Sequence, residues 1–362
     1  MGGVGYVNTP RSSPCAKAAN MRFLVFLARR LLHSVFVLLG LSILVFLIAR
    51  VMPGDPARMA LGPRAPDWAV EKFRESLHLD KPLYTQYYYW IRGALHGDFG
   101  KSIFTRRDVT TDIKEFFPAT LELMLLCGAI MSSLGIFLGV ASARYANRWP
   151  DNVVRVISYM GVVTPAFVFA ILFLLLFGYV LDILPTAGRL SPSITRPPTI
   201  TGLITLDSLI AGNFAAFFDA VKHLLMPAFA LALGPMAQEA RITRSSMTEN
   251  LQRDFIALER SQAIPERKIM SKYLMKLSLI PTVSVLALDF AAQLGWAFLV
   301  ELIFNWPGIS RYGINVMLRK DLNAIVAVIM VIGLMFLIVN IIVDILVAWL
   351  DPRIRLGAER SK

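Results

Sequence analysis

Cysteine is nearly absent from this chain of 362 residues, and the motifs of common catalytic sites are missing. The two cysteines, Cys15 and Cys127, lie near the amino terminus and inside an apolar run, which excludes a disulfide framework. The four histidines are scattered without the spacing of metal ligands, and neither an H-E-x-x-H nor a G-x-S-x-G motif occurs. We therefore expect no enzyme activity, no metal site and no cofactor.

Charged residues are also scarce, at 17% of the chain, whereas hydrophobic residues make up 56%. With a mean hydropathy of +0.58, the chain is too apolar for a soluble globule, and this composition predicts a polytopic membrane protein. The net charge of +12 does not indicate nucleic acid, because lysine and arginine concentrate in segments that flank apolar runs. The expected partner of this surface is the lipid bilayer.

Six apolar runs are long enough, or nearly so, to cross the roughly 30 Å of hydrocarbon as helices. They cover residues 31–51, 119–143, 153–181, 222–241, 279–304 and 324–350. The fourth run is the weakest prediction, since Pro227 and Pro235 interrupt it. The predicted fold is thus an all-α polytopic membrane protein with six transmembrane helices.

Basic residues predict the orientation of these spans. They cluster before the first run, between the second and third runs, in residues 241–276 and at the carboxyl end. With six spans all four clusters fall on one side, which predicts that both termini lie in the cytoplasm. Residues 52–117 then lie outside, with helices expected over 67–77 and 82–95. Residues 200–218 are only moderately apolar and are predicted to form an external re-entrant or surface helix.

One segment has a misleading likeness to a nucleotide site. Residues 97–102, GDFGKS, end like a phosphate-binding loop, but the pattern requires glycine at position 95, which is Leu95 here. No strand is predicted before the segment. The sequence therefore contains no ATP site of its own.

An ordered set of short motifs resembles the first permease of the dipeptide, oligopeptide and nickel ABC importers. The motifs are MPGDP at 52–56, LDKPL at 79–83, GDFG at 97–100, FPATLEL at 117–123, LPTAG at 184–188, RITRSSM at 241–247, VELIFNWPGI at 300–309 and DPRIR at 351–355. Each element is weak alone, but the order is specific. The resemblance covers residues 21–356.

This resemblance implies a MetI-like permease core with an extra amino-terminal helix and a large periplasmic insertion. The implied divisions are a disordered tail over 1–20, a first transmembrane helix over 21–51, a periplasmic insertion over 52–117, a permease core over 118–350 with a coupling loop at 241–277, and a cytoplasmic tail over 351–362. The implied partners are a second homologous permease, two cytoplasmic ATP-binding subunits and a periplasmic or lipid-anchored substrate-binding protein.

The function that the resemblance implies is a peptide pathway in the inner membrane. The binding protein reads most of a peptide's backbone, so the cargo is not encoded plainly in this chain. A permease for nickel chelates or antimicrobial peptides is an alternative within the same class. A membrane scaffold or sensor that has lost transport is an alternative from another class.

In such permeases a short helix between two spans docks into the ATPase subunit, and residues 254–260 stand at that position. We expect Asp254, Phe255, Ile256, Leu258 and Arg260 to form this coupling helix, with Phe255, Leu258 and Ile256 supplying its apolar face. The alternative is a helix that lies on the bilayer interface.

The coupling loop departs from the family pattern at one residue. Ala263 stands where the family has glycine, and a positive φ is unfavourable for a residue with a Cβ. Either the turn differs from that of the relatives or the ATPase partner has adapted to it.

Carboxylates within apolar spans are costly, and each needs an explanation. Glu122, Glu301 and Asp344 lie near span ends, which favours ion pairing or exposure at the interface. Asp289 lies deep in the fifth run, with Gln293 one turn further on. These two residues are the candidates for a translocation pathway that meets a peptide's amino group, and a hydrogen bond between helices is the alternative.

Overall fold

The computed structural model describes residues 14–51, 56–62, 64–76 and 78–350 as a bundle of helices. Its helices are α1 (Pro14–Val51), α2 (Pro56–Leu61), α3 (Asp67–Ser76), α4 (Leu83–Leu95), α5 (Val109–Arg144), α6 (Trp149–Val163), α7 (Ala166–Phe173), α8 (Ile204–Ile210), α9 (Phe214–Asn250), α10 (Asp254–Ser261), α11 (Glu266–Lys268), α12 (Met275–Ile303), α13 (Ile309–Leu318) and α14 (Leu322–Leu350). Two π-helical segments, Leu174–Val180 and Ile269–Leu274, follow α7 and precede α12. The predicted all-α fold is confirmed.

The predicted tails lie largely beyond the described part of the chain. Residues 1–13 and 351–362 are outside it, as is most of the motif at 52–56. α1 begins at Pro14, within the stretch 1–20 for which a tail is predicted.

Among the described residues, five helices are long and apolar enough to cross a membrane, and a sixth crossing results if α6 and α7 form one bent span. The predicted third span, 153–181, is therefore not one continuous helix, since the chain bends by 108° between α6 and α7. The bend lies at Thr164, which is extended (φ −88°, ψ 123°), directly before Pro165. A residue before proline is driven out of the helical region, which explains the break.

The fourth span is longer and more regular than its sequence suggests. α9 runs through both Pro227 and Pro235 without ending. It begins after Asn213, whose side-chain oxygen accepts a hydrogen bond from the Ala216 amide (3.0 Å) and caps the helix. The segment 200–218 is thus divided between the short helix α8 and the first turns of α9.

α9 is the central helix and packs against α5, α6, α7, α8 and α12. Small residues allow this close approach, as is usual between membrane helices. A Cβ built on Gly139 of α5 would lie 2.5 Å from the Thr243 Cβ, and one on Gly161 of α6 would lie 2.7 Å from the Ala237 Cβ. Substituting either glycine would therefore push α9 away from its neighbours.

The segment before α5 is fastened to the α13–α14 turn. Ser102 donates a hydrogen bond to Asp321 (2.6 Å), the Phe104 amide donates to the same carboxylate (3.0 Å), and Asn323 donates to the Lys101 carbonyl (3.1 Å). α5 already begins at Val109, so the predicted division between residues 117 and 118 falls within a continuous helix. The large insertion outside the membrane remains a prediction.

Candidate functional sites

The predicted coupling loop forms a helix of its own between two spans. α9 ends at Asn250, α10 follows after a short turn, and the chain re-enters a span through α11 and the π-helical segment. Asp254 lies in the first turn of α10 and Arg260 in its last. This placement of charges matches the helix dipole and stabilises a helix of only eight residues.

The three apolar side chains predicted for the docking face of α10 differ in how far they are buried. Ile256 is fully buried in a cluster with Met247, Ile269 and Leu274, and Phe255 packs partly buried against that cluster. Leu258, by contrast, is 59% exposed. Ile256 and Phe255 therefore anchor the helix to its own chain, and Leu258 is the apolar side chain that a partner can reach.

The turn after α10 keeps the left-handed conformation despite its alanine. Ala263 has φ +57°. The Ile264 amide donates to the Glu259 carbonyl (3.3 Å) and the Ala263 amide to the Arg260 carbonyl (3.0 Å), which is the bond pattern of a Schellman cap. The positive φ expected to be unfavourable for alanine is thus present in this turn. The chain tolerates a strain of about 1 kcal/mol or more at Ala263.

A salt bridge spans this turn on its outer side. Arg260 donates to both oxygens of Glu266, with its Nη2 2.7 Å and its Nε 3.2 Å away. This hydrogen bond raises the pKa of the Arg260 guanidinium. Both side chains are exposed, so the pair contributes little stability in water.

Three of the carboxylates noted in the spans have partners. Glu122 pairs with Arg189, and Asp344 pairs with Arg30, so the expected ion pairing is confirmed for both. Glu301 differs, because it is fully buried and makes hydrogen bonds instead. The Thr120 hydroxyl donates to it (2.5 Å), as does the Arg311 amide (2.9 Å), so that Glu301 joins α5 and α12 to the start of α13.

A second hydrogen-bonded carboxylate, that of Asp207, lies at the end of the bundle where α9 begins. Asp207 of α8 accepts hydrogen bonds from the Thr201 amide (2.8 Å) and hydroxyl (2.7 Å) and from the Gly202 amide (3.0 Å). Burial opposes ionisation of Asp207, but these donors outweigh it and lower the pKa of the carboxyl group. Asp207 thus stays charged and orders the turn before α8.

Asp289 and Gln293 face the interior with oxygen atoms that have no donor. Asp289 is partly buried and Gln293 is buried, and neither the Asp289 Oδ2 nor the Gln293 Oε1 has a hydrogen-bond partner among the described residues. The alternative for Asp289, a hydrogen bond between helices, therefore finds no support in the described part of the chain.

A second carboxylate, that of Glu239 on α9, joins Asp289 and Gln293. Glu239 is fully buried, with a relative exposure of 0%. Within the described ranges neither of its carboxylate oxygens has a hydrogen-bond partner. It packs against Gly135 of α5, where a Cβ would lie 2.7 Å from the Glu239 Oε2. Asp289 is near enough to act on it electrostatically. We call Glu239, Asp289 and Gln293 the acceptor cluster.

A row of hydroxyl and amide groups links the acceptor cluster to the coupling end of the bundle. Asn250 donates to the Ser278 hydroxyl (3.0 Å) at the end of α9. About two turns further into the bundle, the hydroxyls of Thr243 and Thr282 share a hydrogen bond (2.9 Å). Glu239 lies one more turn away from the coupling loop on α9. The α9–α12 contact is thus polar from the coupling loop to the middle of the bundle.

Two family models match the chain. Residues 135–356 match the binding-protein-dependent transport system inner membrane component, and residues 22–124 match the amino-terminal region of the same kind of membrane component. The chain belongs to this family. It is a multi-pass inner-membrane permease that acts with other ABC subunits and a binding protein.

Relatives of this permease align over nearly their whole length. The probable D,D-dipeptide transport system permease protein DdpB of Escherichia coli K12 is 40% identical over 93% of this chain and 99% of its own. The dipeptide permease DppB of Alkalihalophilus pseudofirmus is 35% identical over 92% of this chain and 99% of its own. The glutathione permease GsiC of Escherichia coli K12 is 32% identical over 91% of this chain and 98% of its own.

Sequence reasoning missed two residues that the fold of this permease makes prominent. Glu239 lies inside the predicted span 222–241, where a carboxylate is costly enough to be noticed. Asp151 is fully buried and binds Arg244 through two 2.6 Å hydrogen bonds. Its sequence offered no such signal, because it looks like an ordinary first-turn acid of α6.

Proposed function

We propose that this permease forms, with a second homologous permease, the pathway by which short peptides enter the cell. The observation that carries the proposal is similarity over at least 91% of the chain to relatives named as D,D-dipeptide, dipeptide and glutathione permeases. These cargoes share a size of two or three residues and a charged backbone terminus. A periplasmic or lipid-anchored binding protein delivers them.

The proposed orientation has both ends of the chain in the cytoplasm. It is supported by the basic residues of the α9–α12 connection and of the α5–α6 turn, which lie at the same end of the bundle. The α10 helix then faces two cytoplasmic ATP-binding subunits. Residues 56–108 lie on the opposite side, where the binding protein approaches.

Within this arrangement α10 is the coupling helix. Ile256 and Phe255 hold it against Met247, Ile269 and Leu274, so a push on α10 reaches the ends of both α9 and α12. The exposed Leu258, with Asp254 and Arg260 at either end of the helix, is the surface offered to the ATPase. Burial of an apolar side chain gives the contact its affinity, and the flanking charges give it direction.

The acceptor cluster is proposed to line the pathway and to receive the ammonium group of a peptide. The buried Glu239 and Gln293 and the partly buried Asp289 have four oxygen atoms without a donor in the described part of the chain, and an ammonium group supplies three N–H donors. A charge near the middle of the membrane also attracts an opposite one strongly. Movement of α10 reaches this cluster through the polar α9–α12 contact.

Uptake by cells that lack the gene for this permease tests the proposal. We expect such cells to lose accumulation of one or more labelled members of a panel of L,L-dipeptides, D,D-dipeptides and glutathione, and to regain it with the wild-type gene. A matched assay with a nickel chelate serves as the control. Loss of nickel uptake with unchanged peptide uptake would contradict the peptide assignment, and loss of neither would favour the scaffold alternative.

A further inference from the structure

A cavity of about 160 Å³ lies between α5, α6 and α9 near their coupling end. Three arginines line it, Arg155 from α6 and Arg241 and Arg244 from α9. Guanidinium groups on two helices therefore converge on one space. Arginines that only satisfy the orientation rule of membrane proteins need no such convergence, because they can extend separately into water.

The arginines of this cavity differ in how far their charges are compensated. Arg244 is held by the buried Asp151 through its Nε and Nη2 atoms, both at 2.6 Å, and Ser142 also donates to that carboxylate (2.5 Å). Arg155 and Arg241 have no carboxylate partner within the described ranges of the chain. Asp151 thus holds Arg244 in place at one side of the cavity, whereas Arg155 and Arg241 contribute two positive charges without a carboxylate partner in the described part of the chain.

Hydroxyl groups lie beside the arginines in the lining, together with the apolar Val154 and Ala240. Ser158 and Tyr159 on α6 and Ser245 on α9 border the same space. Their O–H groups add neutral donors beside the guanidinium forks, which is the mixture of groups that proteins use to hold phosphate oxygens. A carboxylate ligand has only two oxygens and would leave part of this donor set unused.

Exposed aromatic residues indicate the depth of the cavity in the membrane. Trp149, the first residue of α6, is 77% exposed, and Tyr159, further along the same helix, is 57% exposed. Tryptophan and tyrosine concentrate where lipid headgroups meet the hydrocarbon. The part of α6 that lines the cavity, residues 154–159, follows Trp149 and includes Tyr159, which favours a position near the lipid headgroups.

We propose that this cavity is a binding site for a phosphate group, either that of an anionic lipid headgroup or free phosphate. A phosphate placed there accepts hydrogen bonds from Arg155 on α6 and from Arg241 on α9 and joins the two helices. The joint lies in the last third of α9, which ends at Asn250, so the bound phosphate stiffens the part of α9 that leads to α10. The cytoplasmic position of the site rests on the proposed orientation, but the binding itself does not.

The test compares the purified importer containing the wild-type permease with one carrying Arg155→Gln and Arg241→Gln. Arg148→Gln is the matched control, because Arg148 is an exposed arginine just before α6 that does not line the cavity. Native mass spectrometry measures phosphatidylglycerol and phosphatidylcholine retained from mixed nanodiscs. Thermal unfolding in detergent with and without inorganic phosphate forms the second arm.

We expect the wild type and Arg148→Gln to retain phosphatidylglycerol over phosphatidylcholine, and the double variant to bind it about tenfold or more weakly. Thermal protection by inorganic phosphate without lipid selectivity, lost in the double variant, would identify free phosphate as the ligand. Should the double variant not accumulate, Arg155→Gln alone carries the same expectation. The proposal is overturned if the wild type shows neither effect, or if Arg148→Gln loses as much as the cavity variants.

Discussion

Leu258→Asp separates docking of α10 from its folding. Leu258 is 59% exposed in the permease alone, so docking has that fraction of a leucine left to bury. Full burial of such a side chain contributes about 1.5–3 kcal/mol, and the remaining fraction contributes roughly 1–2 kcal/mol. A carboxylate placed in the contact adds a desolvation cost of at least about 1–3 kcal/mol. The variant should therefore lose about a hundredfold or more in affinity for the ATPase.

The assay is co-purification of the ATPase subunits with tagged permease, together with peptide-stimulated ATP hydrolysis. Leu83→Asp is the matched control, because Leu83 is also an exposed leucine but lies on α4, away from the coupling loop. We expect Leu258→Asp to accumulate in the membrane without ATPase and Leu83→Asp to retain it. Stoichiometric ATPase binding by Leu258→Asp would refute the docking argument.

Further substitutions test the other parts of the account. Phe255→Asp should reduce accumulation of the permease as well as ATPase binding, because Phe255 packs against the chain's own cluster; normal accumulation would show that the anchoring is misassigned. Ala263→Gly should raise the unfolding temperature of the purified permease, since it removes a left-handed strain of about 1–2 kcal/mol at φ +57° and adds a smaller entropic cost; a lower unfolding temperature would contradict the cap. Asp289→Asn and Glu239→Gln should accumulate normally but transport amino-acetylated peptides relatively better than free ones; equal losses for both cargoes would remove the ammonium role. Cysteine labelling should reach positions 148 and 260 from the cytoplasm and positions 81 and 196 from outside; periplasmic labelling of position 260 would invert the orientation.

The class of fold could be predicted from the sequence because membrane spans follow from apolar length alone. The one clear error among the predicted spans is the break of 153–181 at Thr164 and Pro165. Hydrophobic periodicity does not show whether a proline bends a helix or breaks it. α9 shows the opposite outcome, with two prolines inside a continuous helix that its neighbours support. The difference lies in tertiary packing, which a window of sequence does not contain.

The position of the candidate coupling helix could be predicted from the sequence, but not which of its side chains are buried and which are exposed. Spacing placed Phe255, Ile256 and Leu258 on one short helix, but the neighbours that divide them into anchors and a docking residue come from Met247, Ile269 and Leu274. Similarly, Asp289 could be chosen from its depth in a span, whereas its relation to Glu239 depends on the register of α9 against α12. Both features depend on which helices pack together.

Reconstitution tests the central claim most directly. The permease, its homologous partner and the ATPase subunits are placed in vesicles with ATP inside, and the binding protein and a labelled dipeptide are added outside. The account predicts accumulation of the dipeptide that requires hydrolysable ATP and is abolished by Leu258→Asp. Accumulation that persists without ATP, or that is unchanged when this chain is left out, would contradict it.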